Sequence, residues 1–257
     1  MAAKLPWRVA WITGASTGIG RELALSLAQD GCRVAVSARS ASKLAELAAL
    51  SPLISAFDLD VTDAVAVSQT VARIESSLGP IDLAILNAGV WHPMGASSYD
   101  LDKASQSMAV NYGGVINALA PVMRSMTGRA SGHIALVASV AGYRGLPTGA
   151  AYAPTKAALI NLAEALYPDL RLKGVTMTVI NPGFVATPMT EVNTFPMPFL
   201  VSTAEAVAAI RAGLETRRFE IVFPGRMAVM MKSLRVLPYR LFFWLTGKIA
   251  KREPPAA

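Results

Sequence analysis

Cysteine and histidine are almost missing from this chain of 257 residues, which has one cysteine, Cys32, and two histidines, His92 and His133. A single cysteine excludes an intramolecular disulfide and a cysteine-based zinc site. No group of His, Cys, Asp and Glu has metal-ligand spacing, so no metal is expected. With so few histidines and no Gly-x-Ser-x-Gly elbow, serine-hydrolase chemistry is a poor fit. Cys32 stands before an apolar run and reads as an inert buried thiol, a usage that suits a reducing cytoplasm. Charge is scarce as well, 16 % against 53 % apolar residues, which excludes disorder for the bulk of the chain. No apolar run reaches the length of a bilayer span, so an integral membrane protein is not expected. Residues 1–6 run straight into a strand-like segment without a small-residue cleavage site, so no signal peptide is expected. Solenoid repeats, low-complexity tracts and internal linkers are absent too.

What is present is an alternation. Segments rich in Val, Ile and Ala at 7–13, 33–37, 53–57, 82–87, 132–139, 175–180 and 220–223 read as strands. Helical patterns separate them at 18–29, 43–50, 62–78, 101–126, 155–173 and 203–216. The strands are near-continuous apolar runs, the signature of a sheet buried on both faces. Strand–helix alternation implies right-handed crossovers and a doubly wound parallel β-sheet of about seven strands, an α/β fold of Rossmann type with helices on both faces.

Net charge is +7 and is unevenly placed. Residues 1–210 hold 14 basic and 14 acidic side chains, whereas residues 211–257 hold 10 basic and 3 acidic. A neutral body therefore carries a basic C-terminal segment.

Two constellations carry chemistry. The first strand ends in Gly14-Ala15-Ser16-Thr17-Gly18-Ile19-Gly20, and a helix follows. Glycines there allow a tight turn and a close backbone approach to a pyrophosphate, which the helix N-terminus would attract. The spacing is Gly-x-x-x-Gly-x-Gly rather than Gly-x-Gly-x-x-Gly. The second is Tyr152 with Lys156 four residues on, one face of a helix whose first turn could hold Pro154. An ammonium near a phenol lowers the phenol pKa and suits it to general acid–base work. Ser139, at the end of the fifth strand, lies where open α/β sheets bind ligands and could hold a substrate carbonyl.

Together these motifs resemble the short-chain dehydrogenase/reductases of about 250 residues, over roughly 7–223. The resemblance rests on Thr13-Gly14-x-x-x-Gly18-x-Gly20, Asn87-Ala88-Gly89, Asn111, Ser139, Tyr152-x-x-x-Lys156 and Pro182-Gly183. It implies hydride transfer with a nicotinamide nucleotide. On that resemblance Tyr152 is the general acid or base, Lys156 lowers its pKa and holds the nicotinamide ribose, Ser139 fixes the substrate oxygen, and Asn111 holds a water on the proton path to Lys156. Gly14, Ser16, Thr17, Gly18, Ile19 and Gly20 would line the pyrophosphate, Asn87, Ala88 and Gly89 the adenosine side, and Asp60 and Val61 the adenine. Pro182, Gly183, Val185 and Thr187 complete the cofactor contacts, Thr187 toward the carboxamide. The chain then divides into a nucleotide-binding and catalytic domain, 1–223, and a basic apolar extension, 224–257.

The second strand ends Val36-Ser37-Ala38-Arg39-Ser40 without the acid that would bind an NAD ribose. Arg39 can pair with a 2′-phosphate and Ser37 could add a hydroxyl, so NADP(H) is preferred, with NAD(H) the alternative. The other basic marker of the family is missing, because Thr17 stands before the second glycine. A substrate loop is expected at 189–201, where Met189, Phe195, Met197, Phe199 and Leu200 make an apolar wall, with Trp91, Val140, Tyr143, Leu146 and Tyr167 as further candidates. The implied substrate is a hydrophobic ketone or alcohol; the competing reading is a nucleotide-binding regulatory protein on the same fold. Segment 226–237 is helix-like, apolar and basic, Pro238 breaks it, and 239–249 carries the aromatic residues; this extension either lies on an anionic membrane surface or packs on the body, capping the active site or covering a subunit interface. No nucleic-acid motif accompanies the charge. Family members commonly pair through the two long helices, and many form tetramers at the edge beside the seventh strand; the long tail could block that edge, so a homodimer is expected ahead of a tetramer.

Overall fold

The computed structural model describes residues 6–250. Seven strands, β1 (Val9–Thr13), β2 (Arg33–Ala38), β3 (Ile54–Asp58), β4 (Leu83–Leu86), β5 (Gly132–Val137), β6 (Val175–Pro182) and β7 (Glu220–Phe223), form one sheet in the order β3-β2-β1-β4-β5-β6-β7. Every pairing is parallel. Both faces are covered, which explains the unbroken apolar runs. Along β1, Val9 and Trp11 enter one core with Val71, Leu119 and Leu159, while Ala10 and Ile12 enter the other with Leu23, Leu27 and Ile210.

The helices on these faces are α1 (Gly18–Gln29), α2 (Ala41–Ala48), α3 (Ala64–Leu78), α4 (Leu101–Met108), α5 (Gly114–Gly128), α6 (Ala153–Leu172), the single turn α7 (Pro188–Glu191) and α8 (Thr203–Glu215). Their starts are legible in local chemistry. Asp63 caps α3 by accepting from the N–H groups of Val65 and Ala66, both at 2.9 Å, and Ser202 with Glu205 forms a capping box on α8. Two helices follow β7: α9 (Gly225–Val236), which buries Met227 and Met231, and α10 (Tyr239–Ala250), which buries Phe242. Lys251 and Arg252, expected to end the basic segment, lie outside the described residues.

Two differences from the sequence reading matter. The helix expected over 101–126 is not continuous, because a π-helical turn, Ala109–Gly113, separates α4 from α5. It contains Asn111, and such turns accommodate a side chain that a regular α-helix would aim elsewhere. Trp7 precedes β1 instead of beginning it, but is buried against His133 with ring centroids 5.8 Å apart.

Candidate active site

Order reverses between β1 and β4, where successive crossovers leave in opposite directions, and this opens a crevice at the C-terminal strand ends. The loops leaving β1 to β6 all contribute to one cleft there, of about 350 Å³.

Its floor is the glycine turn. Gly14 has φ +67°, and a Cβ on it would stand 2.7 Å from the Ala88 Cα. The turn is clipped to the loop after β4: Thr13 Oγ1 accepts from the N–H groups of Asn87 at 3.0 Å and Ala88 at 3.1 Å, and Asn87 Nδ2 donates to the carbonyls of Thr13 and Gly14 at 3.0 and 3.1 Å. A Cβ on Gly20 would meet the Gly14 carbonyl oxygen at 2.6 Å, so Gly20 sits behind the turn and lets α1 approach it, outside the cleft lining. Gly18, with φ +57°, packs against Thr187, whose Cγ2 a Cβ there would meet at 3.2 Å. Ser16, Thr17, Gly18 and Ile19 line the opening at the α1 N-terminus, and no side-chain cap from Thr17 closes it. This cradle, which side chains would fill, fits the pyrophosphate of a dinucleotide.

At one end Arg39 is exposed on the rim, with Asp60 and Val61 opposite on the loop after β3. The Asp60 carboxyl is held below the usual carboxylate range by the Thr62 N–H at 2.9 Å and the Thr62 hydroxyl at 2.7 Å, with a smaller contribution from the Arg39 charge. Ser37 is elsewhere. It is fully buried and its hydroxyl accepts from Trp11 Nε1 at 3.0 Å. Alternation along β2 turns it into the core while the strand end reaches the cleft.

At the other end Ser139, Tyr152 and Lys156 meet, beside Pro182, Gly183, Val185 and Thr187. Ser139 starts the 3₁₀ turn Val140–Gly142: its Oγ accepts from the Ala141 N–H at 3.1 Å and donates to the Pro182 carbonyl at 3.3 Å. Tyr152 is the N-cap residue of α6 and Pro154 falls in the first turn, as the spacing predicts. Lys156 lies one turn below, 3 % exposed, with Nζ donating to the Val137 carbonyl at 2.8 Å and 5.4 Å from the Tyr152 ring centroid. Gly142 permits this packing, because a Cβ there would come within 2.7 Å of the Lys156 backbone.

The electrostatics differ from the expectation that Lys156 depresses Tyr152. Burial pushes the phenol up to about 12, and the opposing influence is hydrogen bonding with the Ser139 side chain. Burial also lowers Lys156 to about 8. The ammonium is turned to the β5 carbonyl, and desolvation sets both shifts.

Asn111 is buried just outside the lining. Its Oδ1 accepts from the Val90 N–H at 2.7 Å, and its Nδ2 donates to the Val90 carbonyl at 3.0 Å and Thr155 Oγ1 at 3.1 Å. It therefore holds the 87–90 loop against α6. Gly89 sits between Asn111 and Lys156: a Cβ on it would be 3.3 Å from Asn111 Oδ1 and 3.7 Å from Lys156 Nζ.

The substrate loop begins as expected, with Met189 in the cleft wall. Its ends are joined by a bridge between Val185 and Val201. Trp91 packs edge-on against Tyr152 at 5.0 Å, and its Nε1 donates to Asn193 Oδ1 at 2.8 Å. Asn193 and Thr190, which binds the Val185 carbonyl at 2.7 Å, were not foreseen, since a lone polar residue in a loop carries no spacing signal. Of the expected wall only Met189 lines the cleft; Phe195 packs on Phe184 at 6.0 Å, and four of the further candidates are elsewhere. Val140 and Tyr143 are core, with the Tyr143 hydroxyl on Glu220, and Tyr167 packs on Phe219. Leu146 lines a separate pocket with Met94 and Pro147.

A model of the short chain dehydrogenase family matches residues 8–195. The chain belongs to the short-chain dehydrogenases. An uncharacterised oxidoreductase of Myxococcus xanthus is 38 % identical over 93 % of this chain and 96 % of its own length. Another, from Mycobacterium tuberculosis, is 32 % identical over 90 % and 94 %. A short-chain dehydrogenase of Burkholderia cenocepacia, solved in complex with NADP, superposes with TM-score 0.82 at 25 % identity, covering 98 % of this chain and all of that one. This short-chain dehydrogenase is accordingly an NAD(P)-dependent oxidoreductase of Rossmann fold.

Proposed function

We propose that this short-chain dehydrogenase interconverts a carbonyl and a secondary alcohol on a hydrophobic substrate, with NADP(H) as the preferred cofactor and Tyr152 as general acid and base. The observation that carries this reading is the meeting of Ser139, Tyr152 and Lys156 in the cleft whose floor is the glycine turn. When bound, the nicotinamide nucleotide supplies or accepts the hydride. In reduction Tyr152 Oη gives a proton to the carbonyl oxygen, which Ser139 Oγ helps to hold; in oxidation Oη takes the proton from the hydroxyl. With its pKa near 12, Tyr152 starts protonated at neutral pH. Lys156, as a cation, holds the nicotinamide ribose and favours the phenolate that forms. Asn111 keeps one Oδ1 lone pair for a water on the path to Lys156.

Arg39 supports the NADP(H) preference, because it stands exposed on the cleft rim and Asp60 opposite is occupied by Thr62. Trp91 beside Tyr152 and Met189 in the cleft wall support an apolar substrate. Exposed Met108 and Ile116, on α4 and α5, support a homodimer through the long helices, which sedimentation equilibrium would test.

The experiment is oxidation of NADPH and of NADH with ketones and aldehydes of rising apolar size, repeated with Tyr152→Phe. Turnover should favour NADPH and rise with apolar size. Tyr152→Phe should lose a factor of ~10² to 10⁴ while NADPH still binds. Unchanged turnover in Tyr152→Phe would remove the general-acid role, and a preference for NADH would refute the reading of Arg39.

A further inference from the structure

The C-terminal helices present a face that neither the fold nor the cleft explains. From Ile221 to Arg252 there are seven basic residues and no acidic one. On α10, Phe242 and Thr246 are buried, and the opposite side turns out Leu241, Phe243 and Trp244, which are 45 %, 60 % and 58 % exposed. Trp244 points most directly away from the body by helical geometry. Arg240 and Lys248 stand one turn before and one turn after it on the same side, and Lys248 Nζ lies 3.6 Å from the Trp244 ring centroid. Tyr239 stacks on Phe243 at 5.6 Å and is 68 % exposed.

The face is fastened rigidly. Arg144 donates to the carbonyls of Arg235 at 2.9 Å and Leu237 at 3.3 Å, and its guanidinium lies over the Tyr239 and Phe242 rings at 4.7 and 4.4 Å. Arg144 follows the turn that Ser139 starts, so α10 is tied to the catalytic end of the cleft. Lys232 pairs with Glu220 and anchors α9 to β7.

We infer that α10 docks this enzyme on an anionic lipid surface, with Phe243 and Trp244 seated at the headgroup–acyl boundary and Arg240 and Lys248 on the phosphates. Two observations favour lipid over a second copy of the chain. Cations flank the apolar side chains, and a two-fold contact of this face with itself would oppose like charges. Aromatic and basic residues alternate around the exposed arc, as an interfacial helix requires. No helix among the described residues is long and apolar enough to cross a membrane, so the contact is peripheral.

The test is co-sedimentation of the full chain with vesicles of phosphatidylcholine alone and of phosphatidylcholine with phosphatidylglycerol, at physiological and at high salt. The protein should pellet with the phosphatidylglycerol vesicles, stay in solution with phosphatidylcholine alone, and be released by salt. Arg240→Glu with Lys248→Glu should weaken binding tenfold or more. Phe243→Ser with Trp244→Ser should weaken it comparably without changing turnover of a soluble substrate or the melting temperature. Quenching by brominated acyl chains should fall in Trp244→Phe. Failure to pellet with phosphatidylglycerol overturns the inference, as does binding indifferent to Phe243 and Trp244. A drop in oligomer mass in the Phe243→Ser, Trp244→Ser protein would assign the face to a second copy instead.

Discussion

Lys156 should destabilise the fold that carries it. Its ammonium is 3 % exposed, and burial takes its pKa from 10.5 to about 8. That difference corresponds to about 3 kcal/mol of preference, in the folded state, for the neutral amine. The unfolded chain binds the proton up to about pH 10.5 and the folded chain only up to about pH 8. Between these values stability therefore rises with pH, and the penalty is fully present below pH 8. Lys156→Met removes the charge but strands the Val137 carbonyl, now bound by Nζ at 2.8 Å, at a cost of about 1–3 kcal/mol. At pH 7 the two effects nearly offset, leaving the variant between equal and about 2 kcal/mol more stable. By pH 10 the wild type regains about 2–3 kcal/mol and the order reverses. Urea denaturation of both proteins from pH 7 to 10, without nucleotide, measures the difference directly, and titrations common to both cancel. A difference that stays flat across that range would refute the argument, because it would mean that Lys156 titrates alike in both states. Loss of turnover in the same variant would then separate the need for the charge from its cost.

Two further outcomes are expected. Gly14→Ala should lose at least about 2 kcal/mol in thermal or urea unfolding, since φ +67° costs about 1–2 kcal/mol and its Cβ would meet the Ala88 backbone at 2.7 Å; Gly225→Ala, with nothing within 4 Å, should stay within about 0.5 kcal/mol. Asn193→Ala should raise KM for bulky ketones several-fold while leaving the NADPH Kd unchanged, because it frees Trp91 from the substrate loop and touches nothing on the nucleotide side; an altered Kd would contradict this.

Most of this architecture was readable because it depends on local pattern. Sheet class follows from unbroken apolar strands, and the helix over 18–29 begins at the turn glycines and ends at Gln29 as expected. Tyr152 and Lys156 were legible because four residues on a helix fix a shared face. Contacts between distant segments were not legible. Ser37 had the right hydroxyl at the right strand end, but only the register of β2 against β1 tells that Trp11 takes it. Asn111 could be placed by motif, yet the π-helical turn that aims it at Val90 and Thr155 leaves no periodic trace. The charge balance of Lys156 also depends on the Val137 carbonyl, nineteen residues away in sequence.

The two ends of the cleft are built to different tolerances, and this bears on what evolution of the family can vary. At the nucleotide end four hydrogen bonds join Thr13, Gly14, Asn87 and Ala88, and Gly14 and Gly20 are held where no Cβ fits. Asn111 adds three more bonds behind Gly89. Such a network has one arrangement, and a packed backbone shifts only at high cost. At the substrate end, by contrast, the wall comes from one loop closed by the Val185–Val201 bridge and tied inward by Trp91 and Asn193. Met189, Phe199 and Leu200 remain exposed there, and flexible apolar side chains repack at little cost. Substitutions in that loop should accordingly move substrate choice more than the proton-transfer group, because Tyr152 is set at the N-cap of α6 and the loop reaches it only through Trp91.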